Sequence, residues 1–178
     1  SDLKTMSEST ESFGKREFVI VMTVIMSLIA LSIDAMLPAI GLIVEDLQAN
    51  DSNHGQWIVN SIFLGMSLGF MGYGPFSDAY GRRAAIFLGY VIYLVGTLVC
   101  LLAEGFEVLI VGRLLQGLGG ASFRVISVSM IRDRLSGAQM ARVISLIMVL
   151  FVLVPTFAPS LGQLVLELGG WRDIFGLL

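Results

Sequence analysis

The sequence predicts an all-α membrane protein with several spanning helices. Three observations carry this. The hydrophobic fraction is 56% and the mean hydropathy +0.85. Charged residues make up 14%, against about 25% in soluble domains. They are also clustered, leaving runs of the length, about 20 residues, that a helix needs to cross a bilayer. Third, the positive charges fall on alternate connections between those runs, as the bias of Lys and Arg toward the cytoplasmic side requires.

Residues 1–16 are polar and rich in Ser, Glu and Lys, and read as a flexible cytoplasmic tail. Residues 17–178 form the transmembrane bundle. The first span covers about 18–44, interrupted only by Asp34 and Pro38. It is too long for the core of a signal peptide. An acidic loop, 45–55, leads to a second span over about 57–76, headed by Trp57. The tight turn 74–83 follows, in which glycines permit a sharp bend and Arg82 and Arg83 hold the connection to a membrane face. The third span covers about 84–103 and the fourth about 108–131, separated by the short link 104–107. The polar stretch 132–139 precedes a fifth span, about 141–165, which contains Pro155 and Pro159. A further loop, 166–173, leads to the start of a sixth span at 174. Five spans and a stub suggest a fragment or truncated product, the alternative being a chain that ends here and assembles with another.

Lys4, Lys15, Arg16, Arg82, Arg83, Arg132, Arg134 and Arg142 fall on one side of this zigzag. Glu45, Asp46, Asp51, Glu104, Glu107 and Glu167 fall on the other, with Arg172 as the exception. The N-terminus is therefore expected in the cytoplasm of a multi-pass protein of the cell membrane, with the bilayer itself as a partner. No basic patch interleaved with aromatics points to nucleic acid. The single cysteine, Cys100, excludes an internal disulfide and a cysteine metal site. No cofactor or metal is expected. No metalloprotease, nucleophile-elbow or phosphate-loop motif marks an enzyme.

Ionisable groups within spans are costly and mark function unless they are paired. Asp34 and Arg113 each lie about eight residues, or about 12 Å, from the outer ends of spans one and four. Matching depth suggests that they approach each other. A carboxylate near an arginine stays ionised more readily, so a movement separating the two would let Asp34 take up a proton. The plainer alternative is that both only hold helices together. Arg124 follows Arg113 by eleven residues and returns to nearly the same helical face. With Gln116, Gly117 and Gly120 it makes a polar, small-residue stripe expected to line a cavity or meet another helix, unless Arg124 only snorkels to the interface. Gly65, Gly69 and Gly119 fit close helix packing. Pro155, Pro159 and Gly162 weaken span five and suit a hinge, or an inert kink. His54 reads as a solvated loop residue, and Trp57 and Trp171 as interfacial anchors.

These residues carry a resemblance. The turn containing Gly74, Asp78, Gly81, Arg82 and Arg83 matches the pattern G-x-x-x-D-x-x-G-R-R between helices two and three of the major facilitator superfamily. Leu109, Arg113, Gln116, Gly117, Gly119 and Ala121 match its fourth-helix motif. Ala158 to Gln163 resembles its fifth-helix antiporter motif G-P-x-x-G-G, with departures at Ala158 and Gln163. Ser32 to Ala39 is similar to the first helix of the Bcr/CflA-type drug:proton antiporters.

The resemblance implies the N-terminal six-helix half of a twelve-helix fold, with inverted three-helix repeats and a substrate cavity between two rocking halves. It implies that the 74–83 motif latches the cytoplasmic side, with Asp133 as a partner, and that Arg113 serves proton coupling. Protons, a small-molecule substrate and the missing C-terminal half are the implied partners. The reading is proton-coupled multidrug efflux of small, amphipathic compounds, the kind that confers drug resistance. Two alternatives stand beside it: import of a sugar or other metabolite by the same fold, and a truncated membrane protein that transports nothing.

Overall fold

The computed structural model describes residues 2–48 and 53–178, with side chains from Glu17 onward. Seven α-helices and one 3-10 turn make up the described chain, with no strand among the described residues. They are α1 (Asp2–Asp34), the 3-10 turn Leu37–Ala39, α2 (Ile40–Asp46), α3 (His54–Tyr80), α4 (Arg82–Leu101), α5 (Phe106–Arg134), α6 (Gly137–Leu168) and α7 (Trp171–Leu177).

The order of elements follows the expected spans, with five differences. The 2–16 stretch, expected as a flexible tail, has a helical backbone continuous with α1. Its Leu, Met, Glu and Lys residues favour helix and no proline interrupts them. The first span is not one helix. Pro38 has no N–H, and its ring clashes with the carbonyl four residues back, that of Asp34, so α1 ends at Asp34. The chain resumes as the 3-10 turn and α2.

The turn between spans two and three is shorter than 74–83. Gly74 and Pro75 lie inside α3, and only Gly81, at φ +90°, separates α3 from α4. That left-handed backbone is open to glycine at little cost. Four stretches are long and apolar enough to cross a membrane: Glu17–Asp46, Arg82–Leu101, Phe106–Arg134 and Gly137–Leu168. Helix α3, the second expected span, has the length but is not among them. Gln56, Asn60, Ser61 and its glycines dilute it, and Ser61, Gly65 and Gly69 are turned into the bundle. Finally, α6 outruns its expected bounds and stays one helix through Pro155 and Pro159. Residues 49–52 of the expected outer loop, Asp51 among them, lie outside the described residues.

Helix α5 is the centre of the bundle, with α3, α4 and α1 against it. Small residues allow this closeness. A Cβ on Gly117 would collide with the carbonyl of Ile62 on α3, and one on Gly112 would stand 2.5 Å from the Cys100 sulfur on α4. Helix α6 lies along α1 and presents Gly162 to the Ala35 carbonyl, at the break after α1. Within α6 only Ile147, Ala158 and Gly162 are buried, so most of its apolar surface faces outward. Trp171, Ile174 and Phe175 of α7 close one end of the core.

Hydrogen bonds mark the two ends of the bundle. At one, Arg82 at the start of α4 reaches Asp133 at the end of α5. At the other, Asp46 of α2 accepts from Trp171 Nε1 and Arg172 Nη1, while Arg172 Nη2 donates to the Ala103 carbonyl.

Candidate functional site

Arg113 is fully buried in the middle of the bundle. Its Nε donates to the Ile58 carbonyl on α3 at 3.4 Å, and its Nη1 to the Ser32 carbonyl on α1 at 3.1 Å. Nη1 also donates to Gln116 Oε1 at 2.9 Å, and the Phe175 ring of α7 lies 5.9 Å from the guanidinium carbon. Gln116 Nε2 passes the network on to Thr97 Oγ1 of α4 at 2.8 Å. One side chain thus ties four helices together. Nη2 has no partner among the described residues.

The backbone explains why this carbonyl is available. In a continuous helix the Ser32 carbonyl would accept from the amide of Met36. Because α1 ends at Asp34, its last carbonyls need other donors. Leu31 keeps an intrachain partner in the amide of Ala35, and Ser32 is served by Arg113. The break imposed by Pro38 and the arginine of α5 therefore complete each other.

The expected depth match holds in this limited sense: Arg113 touches Ser32, two residues before Asp34. The expected ion pair is not formed. Asp34 is half-buried and makes no salt bridge with Arg113 in this structure. The Nε and Nη1 of Arg113 are already taken by the Ile58 and Ser32 carbonyls and by Gln116 Oε1. A buried cation without a paired anion is costly, and here three oxygens and an aromatic face offset that cost.

The expected polar stripe on α5 divides. Gln116 and the glycines at Gly117 and Gly120 are buried against α4, α3 and α1 respectively, so this stripe packs against helices. Arg124 is exposed, with its guanidinium carbon 5.3 Å from the centre of the Phe151 ring on α6. Its long stem lets the head leave the buried face. Pro155, Pro159 and Gly162 all lie on α6, with Gly162 at the break after α1.

At the opposite end, Arg82 donates from Nε to Asp133 Oδ2 at 3.1 Å and from Nη1 to Asp78 Oδ1 at 2.8 Å, and also to Ser77 Oγ. The pairs join the ends of α3, α4 and α5. Gly81 makes the turn, Gly74 sits within α3, and Arg83 is exposed. His54 packs edge-on against Phe106, with ring centres 4.5 Å apart.

Sequence reasoning passed over Tyr93 and Thr97, and named Ser32 only as the start of the 32–39 resemblance. Tyr93, Thr97 and Cys100 recur at helical spacing in an apolar span, and that stripe was a signal pointing inward. It also missed a groove of about 390 Å³ between α1 and α6, lined by Ile20, Thr23, Ser27, Leu31, Leu146 and Leu150 among others. It carries no charge, and both hydroxyls already donate to backbone carbonyls, Thr23 to Val19 and Ser27 to Thr23.

Comparison with known proteins agrees with this geometry. The family model described as Major Facilitator Superfamily matches residues 21–178. The chain is 32% identical over 144 residues to a multidrug resistance protein of Klebsiella pneumoniae, MdtL, covering 80% of this chain and 36% of that protein. It is 35% identical over 121 residues to the drug efflux pump JefA of Mycobacterium tuberculosis, covering 67% and 24%. It is 30% identical over 158 residues to a bicyclomycin resistance protein homolog of Haemophilus influenzae, covering 89% and 39%. The chain thus spans well under half the length of these curated relatives. With 158 of its 178 residues inside the family match, and with the fold and motifs described above, the chain belongs to the Major Facilitator Superfamily.

Proposed function

We propose that this chain is part of a proton-coupled exporter of small, apolar or amphipathic compounds that works by alternating access, with its N-terminus in the cytoplasm. The observation that carries the reading is the arrangement around the α1 break. A half-buried carboxylate, Asp34, lies two residues from the carbonyl held by the sealed Arg113 network. Asp34 is the part of this pair open to change: the arginine is fully buried and held by three acceptors, while the carboxylate is partly accessible and makes no ion pair among the described residues.

The groove between α1 and α6 supports the substrate class. Its two hydroxyls donate to their own helix, and no charged side chain lines it. A sugar would leave most of its hydroxyls unpaired against such a wall, at a cost for each polar group stripped of water. The printed functions of the relatives, multidrug resistance and drug efflux, point the same way. In this reading Arg82, Asp78 and Asp133 latch the cytoplasmic ends of the helices, and α6, with its two prolines, is the element able to flex.

The test uses the natural full-length protein in inverted membrane vesicles, with ethidium as the test compound. An imposed proton gradient should drive accumulation in wild-type vesicles, and Asp34→Asn should abolish it. Gradient-driven accumulation by Asp34→Asn at the wild-type level would overturn the role of Asp34. Accumulation of a labelled sugar in place of ethidium would overturn the substrate class.

A further inference from the structure

Arg113 holds the backbone of Ser32 but leaves its side chain free. That side chain is held from a different helix. Tyr93 of α4 is fully buried, and its hydroxyl lies in hydrogen-bond contact with Ser32 Oγ. Ser32 Oγ is also 2.8 Å from the Leu28 carbonyl, one turn back on α1. A hydroxyl has one proton to give. The arrangement that uses every proton runs from Tyr93 O–H to Ser32 Oγ, and from Ser32 O–H to the Leu28 carbonyl. The reverse would strand the tyrosine proton in a dry interior.

Tyr93 itself has little freedom. Its ring centre is 5.2 Å from that of Phe123 on α5, and its carbonyl accepts from Thr97 Oγ1 at 2.9 Å. Thr97 in turn receives Gln116 Nε2, the partner of Arg113. The backbone of Tyr93 lies so close to Gly119 that a Cβ there would overlap it. Ser32 is therefore gripped twice, at its carbonyl by α5 and at its hydroxyl by α4, just before the helix ends. The residue that projects from this fixed turn is Asp34.

We propose that Tyr93, acting through Ser32, is a positioning residue for Asp34: its hydroxyl fixes the last turn of α1 and thereby sets how far the carboxylate is exposed. The functional weight of this rests on the reading of Asp34 given above, but the placement itself is testable without transport. Tyr93 lies outside the superfamily motifs of this chain, and Ser32 enters them only as the first residue of the 32–39 stretch.

The probe is a water-soluble carbodiimide with an added amine, which modifies carboxyl groups that solvent can reach. The natural full-length protein is labelled in liposomes at one fixed pH, and modification of Asp34 is followed by mass spectrometry of its peptide. Tyr93→Phe removes one oxygen and keeps the ring. Released from its grip, the turn should expose Asp34 and raise the labelling rate by about two- to tenfold, the range expected for one lost hydrogen bond. Ser32→Ala should raise it by a similar factor. Because both act through one bond, the double variant should label no faster than the faster single one, and Ser32→Thr, which keeps the hydroxyl, should stay near wild type. A thermal melt of each variant separates this from general loosening.

A wild-type labelling rate in Tyr93→Phe overturns the proposal, and so do effects that multiply in the double variant. A lowered melting temperature with unchanged labelling overturns it too, since that is the mark of a purely structural role. Failure of the functional reading has a different signature: Asp34→Asn retains gradient-driven transport while labelling still responds to Tyr93→Phe.

Discussion

Adding one methyl group where α4 crosses α5 tests the packing on which the site depends. A Cβ built on Gly96 stands 2.5 Å from the backbone nitrogen of Gln116, 2.8 Å from the Gly112 carbonyl oxygen and 3.0 Å from the Leu115 carbonyl carbon. Ordinary contact begins at 3.4 Å, so the shortfall is 0.9 Å at the nearest atom. All three neighbours are backbone atoms of a central helix and cannot turn aside as a side-chain tip would. In Gly96→Ala the two helices must therefore separate by several tenths of an ångström. The Gln116–Thr97 hydrogen bond, 2.8 Å long, spans this crossing and lengthens with it. Overpacking of this kind costs about 1–3 kcal/mol. Gly72→Ala is the control, because a Cβ there meets nothing within 4 Å. Helix propensity alone then favours alanine, by about 0.5–1 kcal/mol. Thermal unfolding in detergent, followed by loss of the monodisperse peak on size exclusion, should show Gly96→Ala several degrees below wild type and Gly72→Ala level with it or above. Equal melting temperatures for the two variants would refute the packing argument, because the two differ only in what the new methyl meets.

Two further substitutions follow from the same geometry. Arg113→Lys keeps the charge, but an ammonium cannot span Ser32, Ile58 and Gln116 together. Each acceptor left dry costs about 1–3 kcal/mol, so the variant should survive heating poorly in the same size-exclusion assay. Arg82→Ala should leave the melting temperature almost unchanged, because its ion pairs with Asp78 and Asp133 are exposed to solvent. Its expected effect is on access, read as faster alkylation of a cysteine introduced at Leu135, which is buried two residues after Asp133. Exchanging the charges of Arg82 and Asp133 should recover part of the difference.

Much of the fold was legible in the sequence because hydropathy and charge both report on the bilayer. Run length located the helices, and the arginines at 82, 83, 132, 134 and 142 marked one end of the bundle. The break after Asp34 was less legible: Pro38 was visible, but periodic apolar residues on both sides read as one span. Helix α3 was read in part: Gly65 and Gly69 were expected to pack closely and do seat α5, but the dilution of its hydropathy by Gln56, Asn60 and Ser61 was not weighed. Arg113 was found because a charge at depth is conspicuous. Gln116 was named on the same stripe, but the other two partners were not, because they are backbone carbonyls, which carry no sequence signal at all. Tyr93 and Thr97 were hidden for a different reason. A hydroxyl in an apolar span is cheap enough to pass as packing, and only contact with Ser32 and Gln116 reveals what it holds.

The contrast between Arg113 and Asp34 bears on which parts of the chain can move. Arg113 is bonded to α1 and α3 and linked through Gln116 to α4, so displacing any of these helices strands a buried cation or a buried carbonyl. Such a penalty makes α1, α3, α4 and α5 a single body around the network. Helix α6 has no side chain in it. It meets the rest mainly along α1, has few buried residues, and contains two prolines that leave the Phe151 and Pro155 carbonyls without their usual amide partners. At Gly162 its backbone lies against Ala35, the residue after Asp34. Any flexing of α6 is therefore felt first at the turn that carries the carboxylate, while the arginine network stays closed. Under the function proposed above, a rigid unit with one pliant helix leaning on the turn that carries the half-buried Asp34 is a physical route by which a compound in the α1–α6 groove and a proton on Asp34 would sense each other.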